Sequence, residues 1–134
     1  MKKNKYYTPE IEEFHVGFEC EIASINNNWL ITDWVKKVFN EKDLKSSFNE
    51  YIELYRVKYL NKEDIESLGF VFKKHWVKES DGDIYKQKGY GLTWFKKINS
   101  FSIWSDDYEE VTYFRGNIKN KSELKILLKQ LGIL

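Results

Sequence analysis

One cysteine, one proline and two histidines among 134 residues close off much chemistry before any motif is sought. With Cys20 alone, the chain can form no internal disulfide and no cysteine-built zinc site. His15 and His75 stand in neither His-x-x-His nor His-Glu-x-x-His spacing, so the sequence predicts no metal site. No stretch approaches the roughly 20 apolar residues of a membrane-spanning helix, and MKKNKYYTPE lacks the apolar run of a signal peptide. These absences lead to the expectation of a cytoplasmic protein without membrane attachment or cofactor.

A dominant charge is missing as well. Lys and Arg number 22 against 21 Asp and Glu, a net charge of +1, so no global field draws the chain to nucleic acid or anionic lipid. The charges are segregated, however. Glu10, Glu12, Glu13, Glu19 and Glu21 crowd one end and Asp106, Asp107, Glu109 and Glu110 form a second acidic knot, with a lysine-rich stretch between them. Neutralising pairs between strands are the simplest expectation.

What the sequence has in quantity is rings, 17% of all residues, concentrated in segments of high strand propensity. EFHVGFECEI reads as a strand with Phe14, Val16, Phe18, Cys20 and Ile22 on one side and Glu13, His15, Glu19 and Glu21 on the other. INNN reads as a turn, since asparagine tolerates left-handed backbone, and WLITDWVKKVF as the returning strand. EYIELYRVKYL gives a further strand. In NKEDIESLG, Asn61 caps a short helix that Gly69 ends. From Phe70 to Ile118 the pattern is antiparallel sheet: FVFKKHWVKES, a turn at Asp81, Gly82 and Asp83, DIYKQKGYGLTWFKKI with Gly89 and Gly91 marking a bulge or bend, then SFSIW and VTYFRGNI. NKSELKILLKQLG is a helix capped by Asn120, with Leu124, Leu127, Leu128 and Leu131 on one stripe. The sum is an α+β single domain over 1–134, with 1–5 a flexible tail and a twisted, mainly antiparallel sheet carrying two short helices on one face.

Catalysis finds little support. On a regular strand Cys20 and His15 project to opposite faces, so they form no nucleophile and base pair. No serine lies in a Gly-x-Ser-x-Gly elbow, KGYGLTW lacks the third glycine of a dinucleotide fingerprint, and ESDGDIY lacks the spaced oxygen ligands of a calcium loop. The expectation is a protein that is not an enzyme.

The positive signal is aromatic and basic residues interleaved from Phe70 to Lys97. A sheet surface formed by Phe72, Trp76, Tyr90 and Trp94 would dock a protein partner or a second copy, because large apolar patches rarely stay exposed. The same rings with Lys73, Lys86, Lys88 and Lys96 would instead stack bases and neutralise phosphates, as in a nucleotide or single-stranded nucleic-acid binder. An ordinary core is the third reading of these rings.

YYTPEIEEFHVGFECE, RVKYLNKEDIESLGF and RGNIKNKSELKILLKQLGI together resemble a set of short uncharacterised proteins from Bacteroidetes-type bacteria and their bacteriophages. That resemblance implies a phage or mobile-element origin and the host-cell cytoplasm as the location. It assigns no catalytic residue. Proteins of that kind act by binding a host component, so it implies a binding protein, with a host-defence inhibitor as one form.

Overall fold

The computed structural model describes residues 5–46, 48–76, 82–106 and 111–134, with Trp76 described by its backbone. Among these residues the fold is α+β with antiparallel sheets, as expected, but there are two sheets rather than one. The chain divides into two compact units, one ending at Tyr59 and the other beginning at Leu60.

In the first unit, β1 (Tyr6–Tyr7), β2 (Glu19–Ile25), β3 (Ile31–Val38) and β4 (Tyr55–Lys58) form a sheet in the order β1-β4-β2-β3. All its pairings are antiparallel. Phe14, Phe18, Cys20, Phe39, Tyr55 and Val57 build the core, and Phe14 stands 4.7 Å from both Phe39 and Phe48 and 5.5 Å from Tyr55, centroid to centroid. Offset and edge-to-face rings of this kind fill volume with directional contacts, which is where much of the aromatic content goes. Helix α1 (Glu41–Lys45) starts at a reciprocal cap: the Asn40 side chain accepts from the Asp43 N–H and the Asp43 carboxylate accepts from the Asn40 N–H, each at 2.9 Å.

The first predicted strand starts later than its alternation suggests. Residues Ile11–Glu13 form a 3-10 turn, and Gly17 takes φ 89°, so the chain bends before β2 begins at Glu19. Phe14, Phe18 and Cys20 are buried as expected, whereas Val16 is exposed on the bend. His15 there lies 2.9 Å from the Glu13 carbonyl oxygen through Nδ1.

In the second unit, β5 (Val71–Trp76), β6 (Gly82–Gln87), β7 (Tyr90–Phe95), β8 (Ser100–Ser105) and β9 (Thr112–Gly116) lie side by side in chain order. Helices α2 (Lys62–Ser67) and α3 (Lys121–Gln130) bury Ile65, Leu124 and Leu128 against Tyr85, Leu92, Phe101 and Ile103 on one face. Both predicted helices are present, each opened by an asparagine: Asn61 accepts from the Asp64 N–H at 2.9 Å and Asn120 from the Glu123 N–H at 2.8 Å. DIYKQKGYGLTWFKKI, expected as one strand, is two. Lys88 (φ 35°) and Gly89 (φ 84°) make a two-residue turn between the paired Gln87 and Tyr90. Positive φ at both positions matches the right-handed twist of the flanking strands. Gly82 and Asp83 belong to β6, and Asp81 of the expected turn lies outside the described residues.

Candidate partner-binding surface

Register in the five-stranded sheet decides where the predicted binding residues go. Phe72 opposes Tyr85, Tyr90 opposes Gln87 and Trp94 opposes Asp83, so all three rings share the face of Tyr85 and Leu92 that carries the helices. Trp94 stacks on Phe101 at 5.4 Å and 12° and packs against the core. Phe72 meets Tyr85 edge-on at 5.5 Å under Lys62, and Tyr90 lies 6.0 Å from Tyr113. The side chain of Trp76 lies outside the description. The three described rings therefore do not form one open surface: Trp94 is packed against the core, Tyr90 is half-buried and Phe72 is exposed at the margin beside α2.

The lysines do not share a patch with those rings. Lys86 projects from the opposite face, pairing with Asp106 at 3.1 Å and lying 5.7 Å from the Trp104 ring. Lys88 sits in the β6–β7 turn and Lys73 at a register shift in β5, both exposed. Only Lys96 joins a predicted ring, 5.4 Å from the centroid of Trp94. Its ammonium is engaged with the Asp83 carboxylate at 2.7 Å. His75 holds the other Asp83 oxygen through Nδ1 at 2.6 Å. Burial would push this carboxyl up, but hydrogen bonds from Lys96 and His75, and their charges, hold it below the ordinary carboxylate range. The arrangement neutralises one buried anion.

Among the described residues, a run of exposed apolar side chains lies elsewhere, on the β2–β3 hairpin. Trp29 is 83% exposed, Leu30 62%, Val35 49% and Val38 59%. The tip is a three-residue loop organised by Asn26, whose carbonyl accepts from the Trp29 N–H and whose side chain accepts from the N–H groups of Asn28 and Leu30. Loops of this length end on a left-handed residue. Here that residue is Trp29, at φ 61°, and not one of the asparagines expected to take it.

Strand β3 is the outer edge of its sheet. Phe39 exchanges backbone hydrogen bonds with Gly17 and Phe18 on the β2 side, so alternation turns Val38, Lys36 and Trp34 outward. The Trp34 N–H accordingly finds no ladder partner and donates to the Asp33 carboxylate at 2.8 Å. On the solvent side of this sheet Arg56 is held by Glu21 at 2.7 Å, 3.7 Å from the ring centroid of Tyr6 and 4.4 Å from that of Trp34. The expected neutralisation of charges between strands is met here by the Arg56–Glu21 pair.

The hairpin itself was expected from the sequence and is present, but its exposed apolar surface was not foreseen, because Trp29, Leu30 and Ile31 read simply as the start of the returning strand. A signal was present: ITDWVKKV does not alternate and carries two adjacent lysines, a pattern of an edge strand wet on both faces. Elsewhere the chemistry is quiet. Burial pushes the Cys20 thiol up to about 12, which removes its nucleophilic form at neutral pH. Among the described residues no three His, Cys, Asp or Glu side chains are placed to hold a metal, and no helix is long and apolar enough to cross a membrane. No family model, curated protein or solved structure matches the chain.

Proposed function

We propose that this chain is a non-enzymatic protein-binding protein of phage or mobile-element type, and that it engages its partner through the β2–β3 hairpin. The observation that carries the reading is Trp29, exposed at the tip and held at φ 61°. A bulky residue in the left-handed region costs about 1–2 kcal/mol. Glycine or asparagine would make the same turn without that cost, and an exposed indole stabilises nothing in the fold itself. Such an outlier supports a functional reading, and tryptophan is the residue most enriched where binding energy concentrates. Leu30 extends the apolar surface from the tip. The resemblance to phage proteins supports a host protein as the partner, with inhibition of a host defence as one outcome of capture.

The test is quantitative capture from a bacterial lysate with the wild-type chain and with Trp29→Ala/Leu30→Ser, both first matched for circular dichroism and melting temperature. The wild type is expected to retain a protein in near-stoichiometric yield that the variant loses. Equal recovery of the same proteins by both would overturn the reading.

A further inference from the structure

We infer that β3 is also a self-association edge: two copies of this chain join antiparallel through β3, with Val35 on the two-fold axis. The inference rests on the reading of the β2–β3 hairpin as a protein-binding element and names a second copy as the occupant of its edge.

Strand β3 offers the outward N–H and C=O groups of Trp34, Lys36 and Val38, and its side chains Val35, Lys36 and Val38 are exposed. An open edge of this kind is a template for another strand. The sequence of the strand then selects the occupant. A two-fold axis through an antiparallel pair of identical strands keeps like faces together, so only residues of like parity can oppose each other. With Asp33, Lys36 or Lys37 on the axis, a charge would face its own copy, which is destabilising. With Trp34 on the axis, Asp33 would oppose Val35 and Lys36 would oppose Thr32, leaving no charge matched.

With Val35 on the axis every rung is complementary. Val35 opposes Val35, Asp33 opposes Lys37 of the second copy, and Trp34 opposes Lys36 of the second copy, the last two pairs occurring twice by symmetry. Trp34 and Lys36 are the residues whose backbone groups point outward, so this register also forms the ladder hydrogen bonds at those rungs. Asp33 supplies a switch between the two states. Its carboxylate caps the edge N–H of Trp34 in the single chain. On pairing, that N–H passes to the carbonyl of the second copy while Asp33 turns to Lys37 of that copy. Lys37 already meets Asp43 of its own chain at 3.0 Å and lies on the same sheet face as Asp33, through the Cys20–Lys37 and Ser24–Asp33 rungs. The register shift beside Ile25 and Ile31 ends regular pairing near the tip, so the joined segment is 33–37.

The test uses the full chain. Val35→Cys, mildly oxidised, should give a covalent dimer, since a non-hydrogen-bonded antiparallel pair brings two Cα atoms to about 4.5 Å, within disulfide reach. The wild type, whose only thiol is the buried Cys20, should give none. Lys36→Cys should give none either, since it opposes Trp34. Native mass spectra over a concentration series should show a wild-type dimer whose dissociation constant rises about tenfold or more in Lys36→Pro, which deletes an outward N–H and leaves the inner ladder intact. A wild type that is monomeric throughout, a dimer indifferent to Lys36→Pro, or cross-linking at Trp34→Cys in place of Val35→Cys would each overturn the inference. Failure here with the Trp29/Leu30 effect on capture retained would leave the hairpin reading standing. Loss of that effect would remove the hairpin reading itself.

Discussion

His75 and Asp83 face each other across the β5–β6 ladder, with imidazole Nδ1 2.6 Å from a carboxylate oxygen that is almost wholly buried. Lys96 closes the other side of Asp83 at 2.7 Å. Because the folded carboxyl is held below its ordinary value, its contribution to stability is complete above the unfolded carboxylate range and is lost as pH falls through the lower folded value. Asp83→Asn should therefore cost about 1–3 kcal/mol at neutral pH, and the gap to wild type should narrow below about pH 4. Urea denaturation at pH 7 and pH 3 measures both; a gap that stays constant would mean the carboxylate is not held by these partners.

On the opposite face of the same sheet, a Cβ placed on Gly91 would run into the indole of Trp104, which lies across the glycine and donates from Nε1 to the Thr93 hydroxyl at 3.1 Å. The ring and its hydrogen bond must both move to admit a methyl group. Gly91→Ala should lose about 1–3 kcal/mol by overpacking. Adding Trp104→Leu should recover part of that loss, and a thermal melt of the double variant no higher than that of the single one would refute the contact.

Cys20 should behave as a core residue toward thiol reagents. A thiol pushed up to about 12 carries at pH 8 on the order of a thousandfold less thiolate than an unperturbed cysteine. Labelling by a disulfide reagent should be slow in the native protein and complete within minutes in denaturant. Rapid native labelling would place the thiol at the surface.

These features differ in how far they could be read in advance. The helices were legible because their punctuation is local: Asn61 with Asp64 and Asn120 with Glu123 cap within three residues, and Leu124 and Leu128 recur at helical spacing. The strands were legible in kind, but their faces were not. Whether Trp94 is core or surface depends on its opposition to Asp83 across β6 and on the turn at Lys88 and Gly89, a turn hidden because lysine is an unusual residue at positive φ. The hairpin surface was obscured in the same way. Trp29, Leu30 and Ile31 are apolar where apolar residues ordinarily enter a core, and only the left-handed turn and the edge position expose them.

Trp29 allows stability and association to be separated with one substitution. Its φ of 61° suits glycine, so Trp29→Gly removes a backbone penalty while deleting the exposed indole. If the side chain served the fold, the variant would melt lower. Because it is exposed and the turn is held by Asn26, the expectation is the reverse: stability unchanged or raised by up to about 1 kcal/mol, the lower end of the left-handed penalty. The hairpin should meanwhile lose its partner. Chemical denaturation beside the capture experiment reads both quantities on one protein. Lower stability with capture intact would make Trp29 a structural residue and remove the ground for placing the binding surface at the tip.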